Sequence, residues 1–288
     1  MIDRLTRIRH VALDMDGTIY SGGTLFDFTR PFLALLGKLG IHYSFLTNNS
    51  SKSSRDYLAH LARMGIPATD DELYSSTHAT LEYLREELPE VKRLFVLGTI
   101  SMRKEVAQAG YELVENTVGE ANESTAPEPE PDAVVVGFDT ALTYKRLCRA
   151  AYWIKQGKPF IATHPDRVCP TDEPTVLVDC GSVCAALEKA AGRAPDKVLG
   201  KPDPCMLHGI LHRHSLTADE LAMVGDRLYT DMAMAHRAGA LGVLVLTGET
   251  TAEEAARHKP APDLVVSGLD EFGERLREAH AGKGAAYR

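Results

Sequence analysis

Short apolar runs alternate with segments of helical periodicity along most of the chain, and this alternation limits the fold more than any other feature of the sequence. The apolar runs that resemble buried strands cover residues 8–14, 42–47, 93–98, 133–139, 159–164, 196–201, 221–226 and 242–248. Apolar residues at helical spacing lie between them, at 28–39, 55–64, 77–87, 143–156 and 179–192. Strands that alternate with helices predict an α/β fold, a doubly wound parallel sheet with helices on both faces.

Length and composition indicate how much core such a sheet can have. The chain has 288 residues, of which 44% are hydrophobic. This is enough for one large domain or two smaller ones. The acidic, proline-rich stretch 119–132 fits neither a helix nor a central strand, and we expect an exposed loop there.

Polar residues follow several of the apolar runs directly. They are Asp14, Asp16, Thr47, Asn48, Lys201 and Asp226. In an open parallel sheet, ligands bind beyond the carboxyl ends of the strands. We therefore expect these residues, which lie far apart in the sequence, to converge at one edge of the sheet.

The charges of this group indicate what it could bind. Two carboxylates about 4 Å apart repel by roughly 4 kcal/mol at an effective dielectric constant near 20. A divalent cation would relieve this repulsion, and hard oxygen ligands suit Mg²⁺. Lys201 adds a positive charge, and the backbone N–H groups of Gly17 and of the residues after Thr47 could face a phosphate.

Charge and cysteine content argue against several other classes of protein. A formal net charge of −8 disfavours a nucleic-acid-binding surface. No apolar run is long enough for a membrane helix, and the first ten residues lack the apolar stretch of a signal peptide. The five cysteines match no zinc pattern and are expected to be free thiols, as in a reducing cytosol. We therefore expect a cytoplasmic protein.

Four short motifs in a fixed order resemble those of the haloacid dehalogenase superfamily. They are LDMDGT, TNN, GKP and GDRLYTD. More than 100 residues separate the second motif from the third, as in the NagD-like branch, which carries a large α/β cap there. The resemblance implies a Rossmann-like core formed by residues 1–79 and 196–288, with an inserted α/β cap domain at 80–195.

The resemblance also implies roles for the residues of the first motif. Asp14 would be the nucleophile that forms an aspartyl-phosphate. Asp16 would be the general acid and base. Similar dehalogenases lack an acid at the Asp16 position, so this residue points to a phosphatase or a phosphomutase.

The later motifs would bind the phosphoryl group and the metal ion. Thr47 and Lys201 would hold the phosphoryl oxygens, with Asn48 and Asn49 beside the substrate. The ligands of Mg²⁺ would be Asp14, the backbone carbonyl of Asp16, and Asp226. Asp231 would orient Lys201 or a metal-bound water. The asparagines could equally cap the helix that follows them.

The implied substrate is a small phosphorylated metabolite, because a large cap would exclude a bulky protein. Sugar phosphates, nucleoside monophosphates and similar phosphomonoesters all stay open. His164 and Asp166 are candidate cap contacts with the substrate, and similar proteins often form homodimers. The alternatives are a phosphomutase that uses the same aspartyl-phosphate, or a phosphometabolite-binding protein without turnover.

Overall fold

The fold is described from a computed structural model, which covers residues 1–114, 129–169 and 174–285. Residues 119–128 of the expected acidic loop lie outside these ranges. The strands are β1 (His10–Asp14), β2 (Tyr20–Ser21), β3 (Thr24–Leu25), β4 (His42–Thr47), β5 (Leu73–Ser75), β6 (Arg93–Leu97), β7 (Glu112–Leu113), β8 (Ala133–Val136), β9 (Phe160–Ala162), β10 (Val168–Cys169), β11 (Leu177–Val178), β12 (Lys197–Val198), β13 (Leu221–Gly225), β14 (Leu241–Val245) and β15 (Leu264–Val266).

The helices connect most of these strands. They are α1 (Ile2–Leu5), α2 (Thr29–Leu39), α3 (Ser54–Arg63), α4 (Ser76–Glu87), α5 (Ile100–Gln108), α6 (Tyr144–Lys155), α7 (Cys180–Ala191), α8 (Cys205–His214), α9 (Ala233–Ala238), α10 (Ala252–Arg257) and α11 (Leu269–Ala285). Short 3-10 turns cover Asp70–Glu72 and Ala218–Glu220, and a π-helical turn covers Leu228–Met232.

The chain divides into two compact units. The first comprises Met1–Thr47, Leu58–Tyr74 and Lys201–Arg288, and the second comprises Asn48–Tyr57 and Ser75–Gly200. The family resemblance implies an inserted cap domain at 80–195, and these boundaries stay a prediction.

The first unit is built on a six-stranded sheet in the order β15-β14-β13-β1-β4-β5. The pairs of β1 with β4 and β13, of β13 with β14 and of β14 with β15 are parallel. From β1 the chain first adds strands on one side, β4 and β5, and later on the other, β13 to β15. The strand order therefore reverses between β1 and β13, and such a switch point is where doubly wound sheets bind ligands.

The central strands of this sheet are apolar because helices cover both of its faces. Every residue of β1, β13 and β14 is buried. Helix α2 ends at Leu39, and Gly40 caps it in the left-handed conformation with φ 68°. The Phe32 ring of α2 contacts the Phe272 ring of α11, with 5.8 Å between centroids. This packing closes one face of the core.

The second unit has its own five-stranded parallel sheet in the order β12-β9-β8-β6-β7. Its core lies between this sheet and helices α6 and α7, with Phe95, Trp153 and Phe160 among the buried side chains. Helix α7 begins after Asp179, whose side chain accepts a hydrogen bond from the Cys180 N–H.

The α/β fold and most of its elements agree with the sequence analysis. The strand expected at 42–47 is confirmed as His42–Thr47, and the helix expected at 28–39 is confirmed as Thr29–Leu39. The expected run at 196–201 is a strand only at Lys197–Val198, because Gly200 and Lys201 leave the sheet. Among the described residues, no helix combines the length and apolar composition needed to cross a membrane.

Candidate functional site

The carboxyl ends of three adjacent strands carry polar residues that the sequence analysis expected to converge. Asp14 is the last residue of β1, Thr47 is the last residue of β4, and Asp226 directly follows β13. Asp14 pairs in register with Leu46, the residue before Thr47. All three polar side chains are buried. The first unit therefore brings these groups together at its switch point.

Lys201 joins two of the carboxylates of this edge. Its Nζ donates one hydrogen bond to Asp14 Oδ1 and another to Asp231 Oδ1, the latter at 2.8 Å. Burial lowers the pKa of Lys201, but the charges and hydrogen bonds of Asp14 and Asp231 outweigh burial and raise it above its ordinary value. The ammonium group is therefore held charged between two carboxylates.

Asp231 owes its position to the π-helical turn after β13. Its second oxygen, Oδ2, accepts the Arg227 N–H at 3.1 Å. A side chain at Gly225 would collide with the Asp231 carboxyl group. The contact of Asp231 with Lys201 is one of the two arrangements that the resemblance implied for this residue.

Three carboxylates form a cluster that fits a hard cation. Oxygens of Asp14, Asp226 and Asp231 lie within 4.8 Å of one another. Asp226 Oδ2 accepts the Glu249 N–H at 2.7 Å, whereas Asp226 Oδ1 is buried and has no hydrogen-bond partner among the described residues. Burial and then the charge of Asp14 raise the pKa of Asp226. A divalent cation would supply the partner that Oδ1 lacks and would offset the repulsion.

The loop that follows β14 supports this cluster, and the sequence analysis did not identify it. Thr247 Oγ1 donates to the Gly17 carbonyl at 2.6 Å, and the Glu249 N–H holds Asp226 as described above. Gly248 packs directly against the Asp226 carboxyl group. The sequence did contain a signal, because the apolar run at 242–248 also ends in a polar residue and a glycine at the carboxyl edge.

Gly17 acts through close packing rather than through its N–H group. The Gly17 N–H donates to the Tyr20 carbonyl at 2.7 Å, so it is used within the turn. This corrects the expectation that this N–H faces a phosphate. Gly17 has φ +82°, and a Cβ atom there would lie 2.6 Å from Asp226 Oδ2. The position therefore requires glycine for two separate reasons.

Asp16 lies outside the carboxylate cluster and is exposed. Its Oδ1 accepts the Gly22 N–H at 3.1 Å. The turn that carries this contact continues into the antiparallel pair of β2 and β3. Asp14 and Asp16 therefore occupy different environments: Asp14 is buried beside the Lys201 ammonium group, and Asp16 is open to solvent.

Four of the expected substrate contacts belong to the second unit. Asn48 Nδ2 lies 3.2 and 3.3 Å from the two carboxylate oxygens of Asp166. Asn49 Oδ1 accepts the Ser51 N–H at 2.8 Å, which forms a turn before α3. The structure thus pairs Asn48 with Asp166 and uses the Asn49 side chain to shape the backbone.

His164 is fully buried, and both of its ring nitrogens have partners. Nδ1 lies 2.8 Å from Thr163 Oγ1, and Nε2 lies 3.0 Å from Asp179 Oδ1. Burial lowers the pKa of His164, but Cys180 and Asp179 together raise it to about 9. Its ring therefore offers no open donor or acceptor to a ligand, because Thr163 and Asp179 occupy both nitrogens.

Comparison with known proteins agrees with this geometry. A family model described as haloacid dehalogenase-like hydrolase matches residues 11–112, and a second model of the same superfamily matches residues 198–272. The ribonucleotide monophosphatase NagD of Escherichia coli strain K12 is 30% identical over 247 residues, which cover 86% of this chain and 91% of the relative.

Solved structures show the same kinship. A 4-nitrophenylphosphatase from Thermotoga maritima is 39% identical, covers 94% of this chain and 98% of its own, and superposes with a TM-score of 0.83. A glycerol phosphate phosphatase from Mycobacterium tuberculosis, solved in complex with magnesium, is 29% identical, covers 95% of this chain and 79% of its own, and has a TM-score of 0.82. The chain therefore belongs to the haloacid dehalogenase superfamily and, within it, to the NagD-like phosphatases, which are phosphoric monoester hydrolases.

Proposed function

We propose that the protein is a Mg²⁺-dependent phosphatase that hydrolyses a small phosphomonoester through an aspartyl-phosphate. The observation that carries this proposal is the pairing of buried Asp14 with the Lys201 ammonium group, beside an Asp226 oxygen that has no hydrogen-bond partner in the described parts of the chain. A nucleophile, a cation and an open carboxylate oxygen at one strand edge are what phosphoryl transfer requires.

In the first step, Asp14 attacks phosphorus. A bond forms between an Asp14 oxygen and phosphorus, and the bond from phosphorus to the alcohol oxygen breaks. Asp16 gives a proton to the departing oxygen, which its exposed position allows. The products of this step are the alcohol and an aspartyl-phosphate.

In the second step, a water molecule attacks the phosphorus of the aspartyl-phosphate. Asp16 accepts the proton of this water, and the bond between phosphorus and Asp14 breaks. The step releases inorganic phosphate and restores the Asp14 carboxylate. Asp16 therefore ends the cycle protonated, as it began.

Lys201 and Thr47 hold the phosphoryl oxygens during both steps. The hydrogen bond to Asp231 at 2.8 Å fixes the Lys201 ammonium group, so little reorganisation is needed as charge develops. Mg²⁺, held by Asp14, the Asp16 backbone carbonyl and Asp226, would neutralise phosphoryl charge when bound. The unpartnered Oδ1 of Asp226 supports this ligand set.

The relatives support a small phosphorylated substrate. By their names they act on ribonucleotides, 4-nitrophenyl phosphate and glycerol phosphate. We propose residues 80–195 as the cap of this family and Asp166, paired with Asn48, as its substrate-facing group. His164 would position the loop of Asp166 through Asp179 rather than contact the substrate itself.

The test is a phosphate-release screen over a panel of phosphorylated metabolites and 4-nitrophenyl phosphate, with Mg²⁺ and with EDTA. We expect release with Mg²⁺ and none with EDTA. The Asp14→Asn variant should lose all measurable turnover, while the surface variant Asp27→Asn should keep it. Release from no compound in the panel would favour a binding protein instead.

A single-turnover reaction in heavy-oxygen water tests which bond water breaks, and acid quenching tests whether an aspartyl-phosphate forms. Water attacks phosphorus in the proposed mechanism, so the label should appear in the released phosphate and not in Asp14. Acid quenching during turnover should leave a phosphorylated peptide that contains Asp14. Failure to trap that peptide during the first turnover would contradict the proposal that the intermediate forms.

A further inference from the structure

Arg227 lies beside the carboxylate cluster but has no role in the proposed chemistry. It directly follows Asp226 in the chain, and its backbone N–H binds Asp231. The Arg227 backbone is therefore fixed by its bond to Asp226 and by its hydrogen bond to Asp231. Its side chain begins at the sheet edge where the phosphoryl group would bind.

The guanidinium group of Arg227 is poorly satisfied. Its Nε lies 2.9 Å from Glu249 Oε2, with the Arg227 side chain 30% and the Glu249 side chain 49% exposed. The direction of the Nε–H does not suit a hydrogen bond to Glu249, and this buried atom has no hydrogen-bond partner within the part of the chain that the structure describes. Across residues 1–114, 129–169 and 174–285, the Arg227 side chain makes this ion pair and no hydrogen bond.

Glu249 pairs with the Arg227 guanidinium group beside the site but accepts no hydrogen bond from it. The Glu249 N–H binds Asp226 Oδ2 at 2.7 Å, and Tyr229 OH donates to Glu249 Oε2 at 3.2 Å. Half-exposed ion pairs contribute little to stability, so an anion with better geometry can replace the Glu249 carboxylate. A planar guanidinium group pairs best with a carboxylate or a phosphate that accepts two parallel hydrogen bonds.

We propose that Arg227 binds a second anionic group of the substrate, a carboxylate or a second phosphate carried by the alcohol portion. Glu249 keeps the guanidinium group in place until that anion takes over. The preferred substrates would then be phosphomonoesters with two anionic groups a few bonds apart. This inference rests on the proposed function, since it assigns the substrate class of the same site.

The test compares two substrates that differ in one charge. In 3-phosphoglycerate a carboxylate stands where glycerol 3-phosphate has a hydroxymethyl group. We expect Arg227→Gln to lower kcat/KM for 3-phosphoglycerate by roughly tenfold or more, as for the loss of a hydrogen-bonded charge, and to change kcat/KM for glycerol 3-phosphate much less. The matched control is Arg257→Gln, an exposed arginine on α10 that pairs with Glu253.

A second variant separates substrate binding from a structural role. Glu249→Gln keeps the backbone N–H that binds Asp226 but removes the charge that competes for Arg227. It should raise the preference for 3-phosphoglycerate over glycerol 3-phosphate by a few-fold, with no loss of thermal stability. A purely structural ion pair would leave this preference unchanged in both variants, and that result would overturn the proposal.

Other outcomes are equally decisive. An equal loss of kcat/KM for both substrates in Arg227→Gln would assign the residue to the transferred phosphoryl group and would overturn the second-anion proposal. If the wild-type protein hydrolyses neither these compounds nor 4-nitrophenyl phosphate, the proposed function fails. Calorimetric binding of both compounds to wild-type protein and to Arg227→Gln then decides the Arg227 proposal, because only the carboxylate compound should lose affinity.

Discussion

At the scale of single residues, the site separates two aspartates that are only two positions apart. Asp14 is buried against Lys201, whereas Asp16 is exposed and accepts the Gly22 N–H. The order of the four motifs was enough to name these residues from the sequence. Glu249 could not be named in the same way, because it holds Asp226 through a backbone N–H that any residue type could supply.

Asp16→Asn should abolish turnover without damaging the site. Asparagine keeps an oxygen for the Gly22 N–H but cannot move a proton, and positioned acid–base groups contribute roughly 10²–10⁴-fold to rates. Steady-state phosphate release measures the loss, and a thermal shift with Mg²⁺ should match that of the wild-type protein. Asp27→Asn is the exposed control. Undiminished phosphate release from Asp16→Asn would contradict the mechanism.

His10 makes stability depend on pH at a point remote from the strand edge that carries Asp14. Its ring is buried, lies 2.9 Å from Ser44 Oγ and contacts the His214 ring. Burial, followed by the charges of His214 and His42, lowers the pKa of His10 from 6.5 to about 3. The unfolded chain therefore binds a proton below pH 6.5 that the folded chain excludes, so stability falls as the pH falls through this range.

The His10 contribution should be about 2 kcal/mol between pH 7 and pH 5. Urea unfolding at the two pH values measures it in the wild-type protein and in His10→Gln, which retains a partner for Ser44. The variant should lose less stability on acidification. An identical pH dependence in the two proteins would show that other groups cause the loss.

At the scale of elements, the apolar strands were the most predictable part of the fold. Strand β4 and helix α2 were expected nearly to the residue, because each has a clear period and a clear end. Strands β5 and β15 were missed because each has only three residues and lies outside any longer apolar run, unlike β9, which lies in the run at 159–164. The loop after β14 was missed as a functional element for a different reason. Its contacts with Gly17 and Asp226 depend on where β14 lies in the sheet, which no local pattern indicates.

The segment between β1 and α2 should tolerate substitution at one glycine but not at another. Gly17→Ala would place a methyl group against Asp226 and force a left-handed backbone on alanine. We expect a large loss of both Mg²⁺ affinity and phosphate release. Gly23→Ala is the matched control, because a Cβ atom there meets no atom of the described residues within 4 Å apart from its two chain neighbours. Calorimetric titration with Mg²⁺ measures the difference, and equal affinities in the two variants would contradict it.

At the scale of the whole molecule, one doubly wound parallel sheet and an inserted α/β cap were expected, whereas the second parallel sheet and both strand orders came from the structure. Sequence patterns identify strands and helices, whereas the position of β1 between β4 and β13 depends on pairing over more than 200 residues. The family resemblance supplied the expectation that distant motifs form one site. The approach of Thr247 to Gly17 needed the structure itself, because nothing near either residue indicates the other.

Binding of Mg²⁺ should stabilise the whole first unit. A ligand at a hundred times its Kd adds about 2.7 kcal/mol to the free energy of unfolding. The wild-type protein should therefore show a higher Tm with Mg²⁺ than with EDTA. Asp226→Asn should lose most of this increment, while Asp27→Asn should keep it. An increment of equal size in Asp226→Asn would place the ion elsewhere.

The ion pair between Asp14 and Lys201 spans 187 positions of the chain, and this separation has a consequence for synthesis on the ribosome. Asp14 emerges early, but neither its ammonium partner nor strand β13 exists until most of the chain has been made. The second unit, which ends at Gly200, is complete before either appears. We expect the nascent chain to fold that unit first and to carry an incomplete candidate site until the last third of translation.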